Sequence, residues 1–146
     1  MSTLRELLAT GTKRQAVVAD CATLIDEEVA SKGGLSGLAV KAAYATVKAL
    51  KPNMIPHAVD DLLDEFCDKL DPLFQAARSS GQPVDAYVAA HADEAAEALL
   101  AITDARAART KHTTIKKAYE KLRPTGKKHT VEAMPRVGRL IAKHTA

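Results

Sequence analysis

The stretch NMIPHAVDDLLDEFCDKLDPLF, residues 53–74, decides the fold class of this chain. Its large apolar residues recur every three or four positions, which is the spacing of one face of an α-helix. They are Ile55, Val59, Leu62, Leu63, Phe66, Leu70, Leu73 and Phe74. We therefore predict a long amphipathic helix that is capped by Asn53, buries its apolar face in a core, and is kinked at Pro72 or restarted there with Asp71 as cap.

The same spacing predicts six further helices on either side of this fourth one. They are Leu4 to Ala9, Thr12 to about Gly33, Ser36 (as N-cap) to about Leu50, Pro83 to about Ala108, about Thr113 to Leu122, and a last helix after the turn Pro124-Thr125-Gly126. Only 3% of the 146 residues are aromatic, whereas strands favour aromatic and β-branched residues. The sequence thus predicts an all-α, compact bundle of six or seven helices, and a single domain over residues 1–146.

A short segment of the sequence occurs twice and divides the predicted bundle into two parts. The segment VKAAY at Val40–Tyr44 is nearly repeated as IKKAY at Ile115–Tyr119, and each copy follows a long helix and precedes a turn that contains proline. One interpretation is an internal duplication that gives two pseudo-symmetric three-helix halves, about residues 12–80 and 83–146. The other is coincidence in a chain rich in Ala and Lys. Both stay open, and in the first Tyr44 and Tyr119 are structural residues.

The charge of the chain is unevenly distributed. The net charge is +3, and twelve Lys or Arg residues against three acidic ones give +9 to residues 104–146, which leaves −6 on the rest. A basic C-terminal face is predicted from Lys116, Lys117, Lys121, Lys128, Arg136, Arg139 and Lys143, which avoid the apolar stripe. An acidic surface is predicted on the fourth helix from Asp60, Asp61, Asp64, Glu65 and Asp68. One interpretation is that this basic face binds phosphates, either of nucleic acid or of an anionic surface. The other is that the face is solvated or paired with acidic groups. The lack of aromatic residues on which bases could stack favours this other interpretation.

A small anion site is predicted at the start of the last helix. Lys127 and Lys128 lie where free backbone N–H groups repel cations and attract anions. A phosphate or sulfate held there would resolve that conflict. The candidate residues are Arg123, Thr125, Gly126, Lys127 and Lys128.

No catalytic residue, cofactor or metal is predicted. His57, Asp60 and Asp64 share a helix face, as do His91, Glu94 and Glu97, but the order reverses the Glu-x-x-His pattern of carboxylate metal sites in bundles. Cys21 and Cys67 fall on apolar stripes and are interpreted as small buried thiols. No stretch has the roughly 20 uncharged apolar residues of a membrane span, and residues 1–6 lack the apolar region of a signal peptide, so we expect a cytoplasmic protein.

Three segments carry a resemblance to a known family. LRELL at Leu4–Leu8, EVASKGGLSG at Glu28–Gly37 and TDARA at Thr103–Ala107 resemble an uncharacterised bacterial family of short helical proteins. The resemblance implies an all-helical fold and no known activity. We therefore predict a non-enzymatic protein-interaction or scaffold module, whose partner or second copy binds the acidic fourth helix and the basic face. The alternative is an anionic-ligand or nucleic-acid binder that uses the basic face, and a metal-carboxylate bundle enzyme ranks third.

Overall fold

A computed structural model of the protein describes residues 2–146, apart from the side chain of Ser36. The third helix begins at Gly34, with Gly33 as the residue before it, so the predicted start of this helix at Ser36 is wrong. The all-α prediction is confirmed, since residues 2–146 form seven helices and no strand. The helices are α1 (Leu4–Leu8), α2 (Gly11–Ser31), α3 (Gly34–Leu50), α4 (Met54–Ser80), α5 (Val84–Ala90), α6 (Ala92–Arg109) and α7 (Thr113–Thr145).

The long helix α4 runs through Pro72 without a break, so the predicted restart at Asp71 is wrong. Asp71 stabilises another helix instead, because its Oδ1 accepts a hydrogen bond of 2.8 Å from the backbone N–H of Leu4. Leu4 is the first residue of α1, and its free N–H needs such an acceptor. This bond fixes the short α1 on α4, with Leu4 and Leu8 buried.

Two predicted helix boundaries in the C-terminal half are also wrong. The fifth predicted helix is divided at His91, where the imidazole stacks on Tyr87 and its Nδ1 lies 2.8 Å from the Tyr87 carbonyl oxygen. The sixth and seventh predicted helices are one, since α7 continues through Pro124 and Pro135. Both prolines are exposed, so solvent can replace the backbone hydrogen bonds that they omit.

The core is built from six of the seven helices. α7 packs along α5, α6 and α2, while α4 packs against α1, α2 and α6. The buried cluster consists of Leu4, Leu8, Ala9, Val17, Leu63, Cys67, Leu70, Leu73, Phe74, Val88, Ala95, Ala96, Met134 and Ile141. α3 contributes none of these residues, and it packs on α2 and α4.

The tyrosines of the two similar segments, Tyr44 and Tyr119, make equivalent contacts. Tyr44 donates to Asp26 of α2, and Lys48 lies 3.1 Å from the same carboxylate. Tyr119 donates to Asp104 of α6, and Arg123 lies 2.8 Å from that carboxylate. In each case a tyrosine and the cation four residues after it share an aspartate of the preceding long helix. The internal duplication stays a prediction, and this matched geometry supports it.

Candidate functional site

A cavity of about 330 Å³ lies among α1, α2, α4 and α7. All of its lining residues are apolar except Glu28, Lys32, His129 and Thr130. Its volume falls within the range of roughly 300–1,000 Å³ typical of sites for small molecules, which are likewise mostly apolar with a few polar groups. This cavity is therefore the candidate functional site.

The cavity is elongated because it follows two antiparallel helices. Its lining extends from Val17 to Lys32 on α2 and from His129 to Ile141 on α7, and at a rise of 1.5 Å per residue these stretches are about 22 Å and 18 Å long. The antiparallel pairing is fixed near one end by Asp20, which lies 2.6 Å from His144. A volume of about 330 Å³ spread over that length suits one extended chain.

The apolar stripe of α2 explains why space remains here. Cys21, Leu24, Ile25 and Val29 recur at helical spacing and all line the cavity, yet each is only partly buried. The stripe thus faces inward, as its spacing predicts, without being completely covered by α4 and α7. Apolar surface remains available to a ligand.

The polar groups of the cavity lie together at one end. The ammonium of Lys32, whose side chain is 6% exposed, is 2.9 Å from Glu28 and 3.2 Å from Glu132. Arg136 pairs with Glu27 and lies 2.8 Å from Glu28. The Lys32 ammonium also holds the pKa of the Glu132 carboxyl below its usual value. Each of these two cations therefore has two carboxylate partners.

His129 is the remaining polar group of that end. Both of its ring nitrogens are buried, and neither has a hydrogen-bond partner among the described residues. A neutral imidazole carries one donor and one acceptor, and a buried polar group without a partner costs about 1–3 kcal/mol. His129 is not among the residues predicted from the sequence, although its spacing of four from Ala133 and eight from Val137 places it on the cavity face of α7.

Both cysteines line the cavity. Cys67 is buried, as predicted, and Cys21 is partly buried. Burial raises the pKa of the Cys21 thiol to about 11 and that of Cys67 to about 12. Since the thiolate is the reactive form of cysteine, neither thiol is an activated nucleophile at neutral pH.

The predicted anion site lacks the helix start on which it was based. Thr125 to Lys128 lie in the middle of α7, so their backbone N–H groups are not those of a helix N-terminus. Arg123 lies 2.9 Å from Glu97 and 2.8 Å from Asp104, and Lys127 lies 2.8 Å from Glu97. Two of the predicted anion-binding cations are thus already paired with carboxylates of α6.

The predicted basic face is partly neutralised by α2. Arg136 pairs with Glu27 and Glu28, and Lys143 lies 2.9 Å from Asp20. Within residues 2–146, the members that form no ion pair are Lys116, Lys117, Lys121, Lys128 and Arg139. The face therefore retains positive charge mainly in the first half of α7.

The acidic residues of α4 find cations in the same chain. Arg14 lies 2.8 Å from both Asp60 and Asp64, and Arg5 lies 2.6 Å from Asp68. Glu65 lies 3.4 Å from Arg106, while Asp61 is exposed. These contacts bind α1, α2 and α6 to α4, and binding of a partner through α4 stays a prediction.

The described residues contain no group of three or more His, Cys, Asp or Glu side chains that could hold a metal ion. Of the two histidines considered for such a site, His57 is exposed and His91 contacts Tyr87 at the junction of α5 and α6. None of the helices within residues 2–146 has the length and apolarity to cross a bilayer.

One family model matches this chain. It is described as "Family of unknown function (DUF6918)", and it matches residues 4–145. The chain therefore belongs to this family, which confirms the resemblance to a family of unknown function. No curated protein and no solved structure matches the chain.

Proposed function

We propose that this protein is a non-enzymatic binding protein that takes up a small, elongated apolar molecule in the cavity along α2 and α7. The observation that carries the proposal is the shape and chemistry of the cavity. It is about 330 Å³ in volume, its walls are hydrocarbon along most of its length, and its polar residues lie at one end. Apolar binding sites with a few placed polar groups have this composition.

The apolar surface that the cavity leaves uncovered favours a ligand, since Leu24, Ile25 and Val29 line it and are each only partly buried. A molecule that fills the space recovers dispersion contacts and removes its own apolar surface from water.

The chemistry of the lining supports binding rather than catalysis. The two thiols that line the cavity have pKa values raised by burial to about 11 and about 12. Glu28 and Lys32 are paired with each other, and Thr130 donates to the backbone oxygen of Gly126. Proton transfer by Glu28, Lys32 or Thr130 would require that group to be released from its partner.

The test is a titration with N-phenylnaphthylamine, whose fluorescence rises in an apolar site. We expect saturable binding to the full chain, and a loss of at least tenfold in affinity in Ala133→Leu, because Ala133 lines the middle of the cavity. Ala118→Leu is the matched control, since Ala118 is an exposed residue of the same helix. No saturable binding, or equal binding by both variants, would reject the proposal.

A second candidate function is protein interaction, and α3 favours it. Leu35 is 88% exposed and Leu50 is 77% exposed, at opposite ends of α3. Both leucines share a helix face with Ala42 and Ala43 at its centre, so an antiparallel second copy of α3 would place Leu35 against Leu50. This face, rather than the acidic surface of α4, is the better candidate for self-association.

The test of this second candidate is sedimentation velocity over a range of protein concentrations. We expect a concentration-dependent dimer that the double variant Leu35→Lys, Leu50→Lys abolishes. Ala58→Lys adds a charge at an exposed site of α4 and should leave the dimer unchanged. A monomer at every concentration would reject self-association through α3.

The anionic-ligand or nucleic-acid alternative has less support. Lys116, Lys117 and Lys121 supply positive charge near the start of α7, but the one aromatic residue among them, Tyr119, donates its hydroxyl proton to Asp104. Electrostatic binding to phosphates weakens steeply with salt. Retardation of RNA or DNA at low salt that disappears at high salt would support this alternative.

A further inference from the structure

We infer that the first half of α7, residues 113–128, binds to the surface of an anionic lipid bilayer. Two stripes of side chains that lie next to each other on its solvent-facing side carry the inference. The apolar stripe consists of Ile115, Ala118 and Leu122, and the basic stripe consists of Lys117, Lys121 and Lys128. This surface is separate from the cavity, so the inference does not depend on the proposed function.

The apolar stripe is left uncovered by the rest of the chain. Ile115 is 54% exposed and Leu122 is 64% exposed, and Ala118 between them is exposed as well. Their spacing of three and four residues places them on one face of the helix. The buried residues of α7 all lie in its second half, and they are Met134, Gly138, Ile141 and His144. The first half of α7 is therefore a surface helix whose aliphatic side chains face water.

The basic stripe lies beside the apolar one. Lys117, Lys121 and Lys128 are exposed, and none of them forms an ion pair within residues 2–146. They follow one another at intervals of four and seven residues, so they share a face of the helix. Lys121 is three residues after Ala118, which makes the two stripes neighbours on the helix surface. The lysines thus present unneutralised charge along the edge of an apolar surface.

The opposite face of this segment has its charges paired. Arg123 and Lys127 face α6, where carboxylates of Glu97 and Asp104 lie 2.8–2.9 Å from them. Glu120 is the one acidic residue in this half of α7, and it lies on the side of the lysines that is away from the apolar stripe. The cations that α7 does not use to bind α6 are therefore the ones that border its exposed aliphatic residues.

This arrangement matches the boundary between lipid headgroups and acyl chains. An amphipathic helix in that plane buries its aliphatic side chains below the headgroups, while its lysines extend to the phosphates. Anionic lipids attract such lysines. A planar bilayer requires no pocket, and neither described cavity includes any of residues 113–128. Nucleic acid would contact the lysines but leave Ile115 and Leu122 in water, because its bases stack on aromatic side chains.

The experiment is sedimentation of the full chain with vesicles at physiological ionic strength. The vesicles contain phosphatidylcholine alone, or equal parts of phosphatidylcholine and phosphatidylserine. We expect at least tenfold tighter binding to the anionic vesicles. Leu122→Ser should lower this affinity about tenfold, because binding strength scales with the apolar area that is buried. Leu38→Ser is the matched control and should change nothing, because Leu38 of α3 is also 64% exposed.

Two further variants test each stripe separately. Ala118→Leu enlarges the apolar stripe and should raise the affinity for anionic vesicles several-fold. The double variant Lys117→Gln, Lys121→Gln should lower that affinity about tenfold or more. Lys69→Gln with Arg139→Gln removes the same charge from exposed sites outside the stripe and should have a much smaller effect.

Several results would overturn the inference. They are no binding to anionic vesicles, equal binding to both lipid compositions, and wild-type affinity in Leu122→Ser. Binding of poly-glutamate but not of vesicles would assign this face to an acidic protein and would overturn the inference too. All the substituted side chains are exposed, so the variants should keep the fold, and circular dichroism checks this. Binding of N-phenylnaphthylamine in the cavity is unaffected by any of these outcomes.

Discussion

The Lys32 ammonium lies 2.9 Å from the Glu28 carboxylate, and both side chains are almost completely buried where α2 ends. An ion pair inside a protein persists only where further partners compensate the lost hydration. Glu132 and Arg136 of α7 supply these partners. The pair therefore joins α2 to α7 and gives the otherwise apolar cavity a polar end.

Removal of this ammonium is predicted to destabilise the fold. Lys32→Met leaves Glu132 without its cation and Glu28 with Arg136 alone, so we expect a loss of about 3 kcal/mol in the free energy of unfolding. Urea denaturation measures this loss. Lys48→Met is the control, because Lys48 pairs with Asp26 at a half-exposed site and should lose no more than about 1 kcal/mol. Equal losses of unfolding free energy in the two variants would show that the Lys32–Glu28 pair contributes no more to stability than a surface pair.

The α6–α7 contact is predicted to weaken in acid. Arg123 first, and Lys127 second, lower the pKa of Glu97 from 4.5 to about 2. A carboxylate with a lowered pKa in the folded state stabilises the fold above its unfolded pKa, and this stability is lost as the pH falls through the folded value. Stability should therefore decrease between about pH 4.5 and about pH 2.

Arg123→Met should make this decrease shallower, because Glu97 then titrates closer to its ordinary pKa. Arg139→Met removes an exposed cation of the same helix and should leave the pH dependence unchanged. The measurement is the midpoint of urea unfolding at a series of pH values across that range. If the urea midpoint of Arg123→Met changes with pH as steeply as that of the wild type, carboxylates other than Glu97 cause the loss of stability in acid.

The two cavity thiols are predicted to react slowly. Burial raises the pKa of Cys21 from 9.0 to about 11, which lowers its thiolate fraction at neutral pH about a hundredfold. We expect alkylation of Cys21 by iodoacetamide in Cys67→Ala to be slower by about this factor than in the urea-unfolded chain, and to slow further when N-phenylnaphthylamine fills the cavity. Equal rates in native and unfolded protein would show that the thiol is exposed.

Apolar periodicity was sufficient to predict most of the fold. The apolar stripe of α4 extends over about five turns, from Ile55 to Phe74, and a long stripe predicts both the helix and its buried face. Helix boundaries were less predictable where tertiary contacts decide them. Pro124-Thr125-Gly126 has the composition of a turn, yet α7 continues through it. By contrast, α5 ends at Ala90 with no glycine or proline to mark the break.

The site was harder to predict than the fold. Periodicity shows that Cys21, Leu24 and Val29 face inward, but it does not show whether their neighbours fill the space around them. The cavity depends on how closely α2, α4 and α7 approach, which is a property of the packed molecule. Likewise, the sequence alone does not show that Lys127 is paired, because its carboxylate partners Asp93 and Glu97 are about 30 residues away in another helix.

The two glycines of α7 are predicted to respond in opposite ways to the same substitution. A Cβ at Gly138 would lie 3.0 Å from the carbonyl oxygen of Asp85 and 3.2 Å from the Cβ of Val88, so Gly138→Ala should push α5 away at a cost of about 1–3 kcal/mol. A Cβ at Gly126 would meet nothing within 4 Å, and Gly126→Ala should stabilise the helix by up to about 1 kcal/mol. Because the helix-propensity gain is common to both sites, the difference between their urea unfolding energies isolates the close packing of α5 on α7. Stabilisation by both substitutions would mean that α5 and α7 do not approach each other as closely as Gly138 permits.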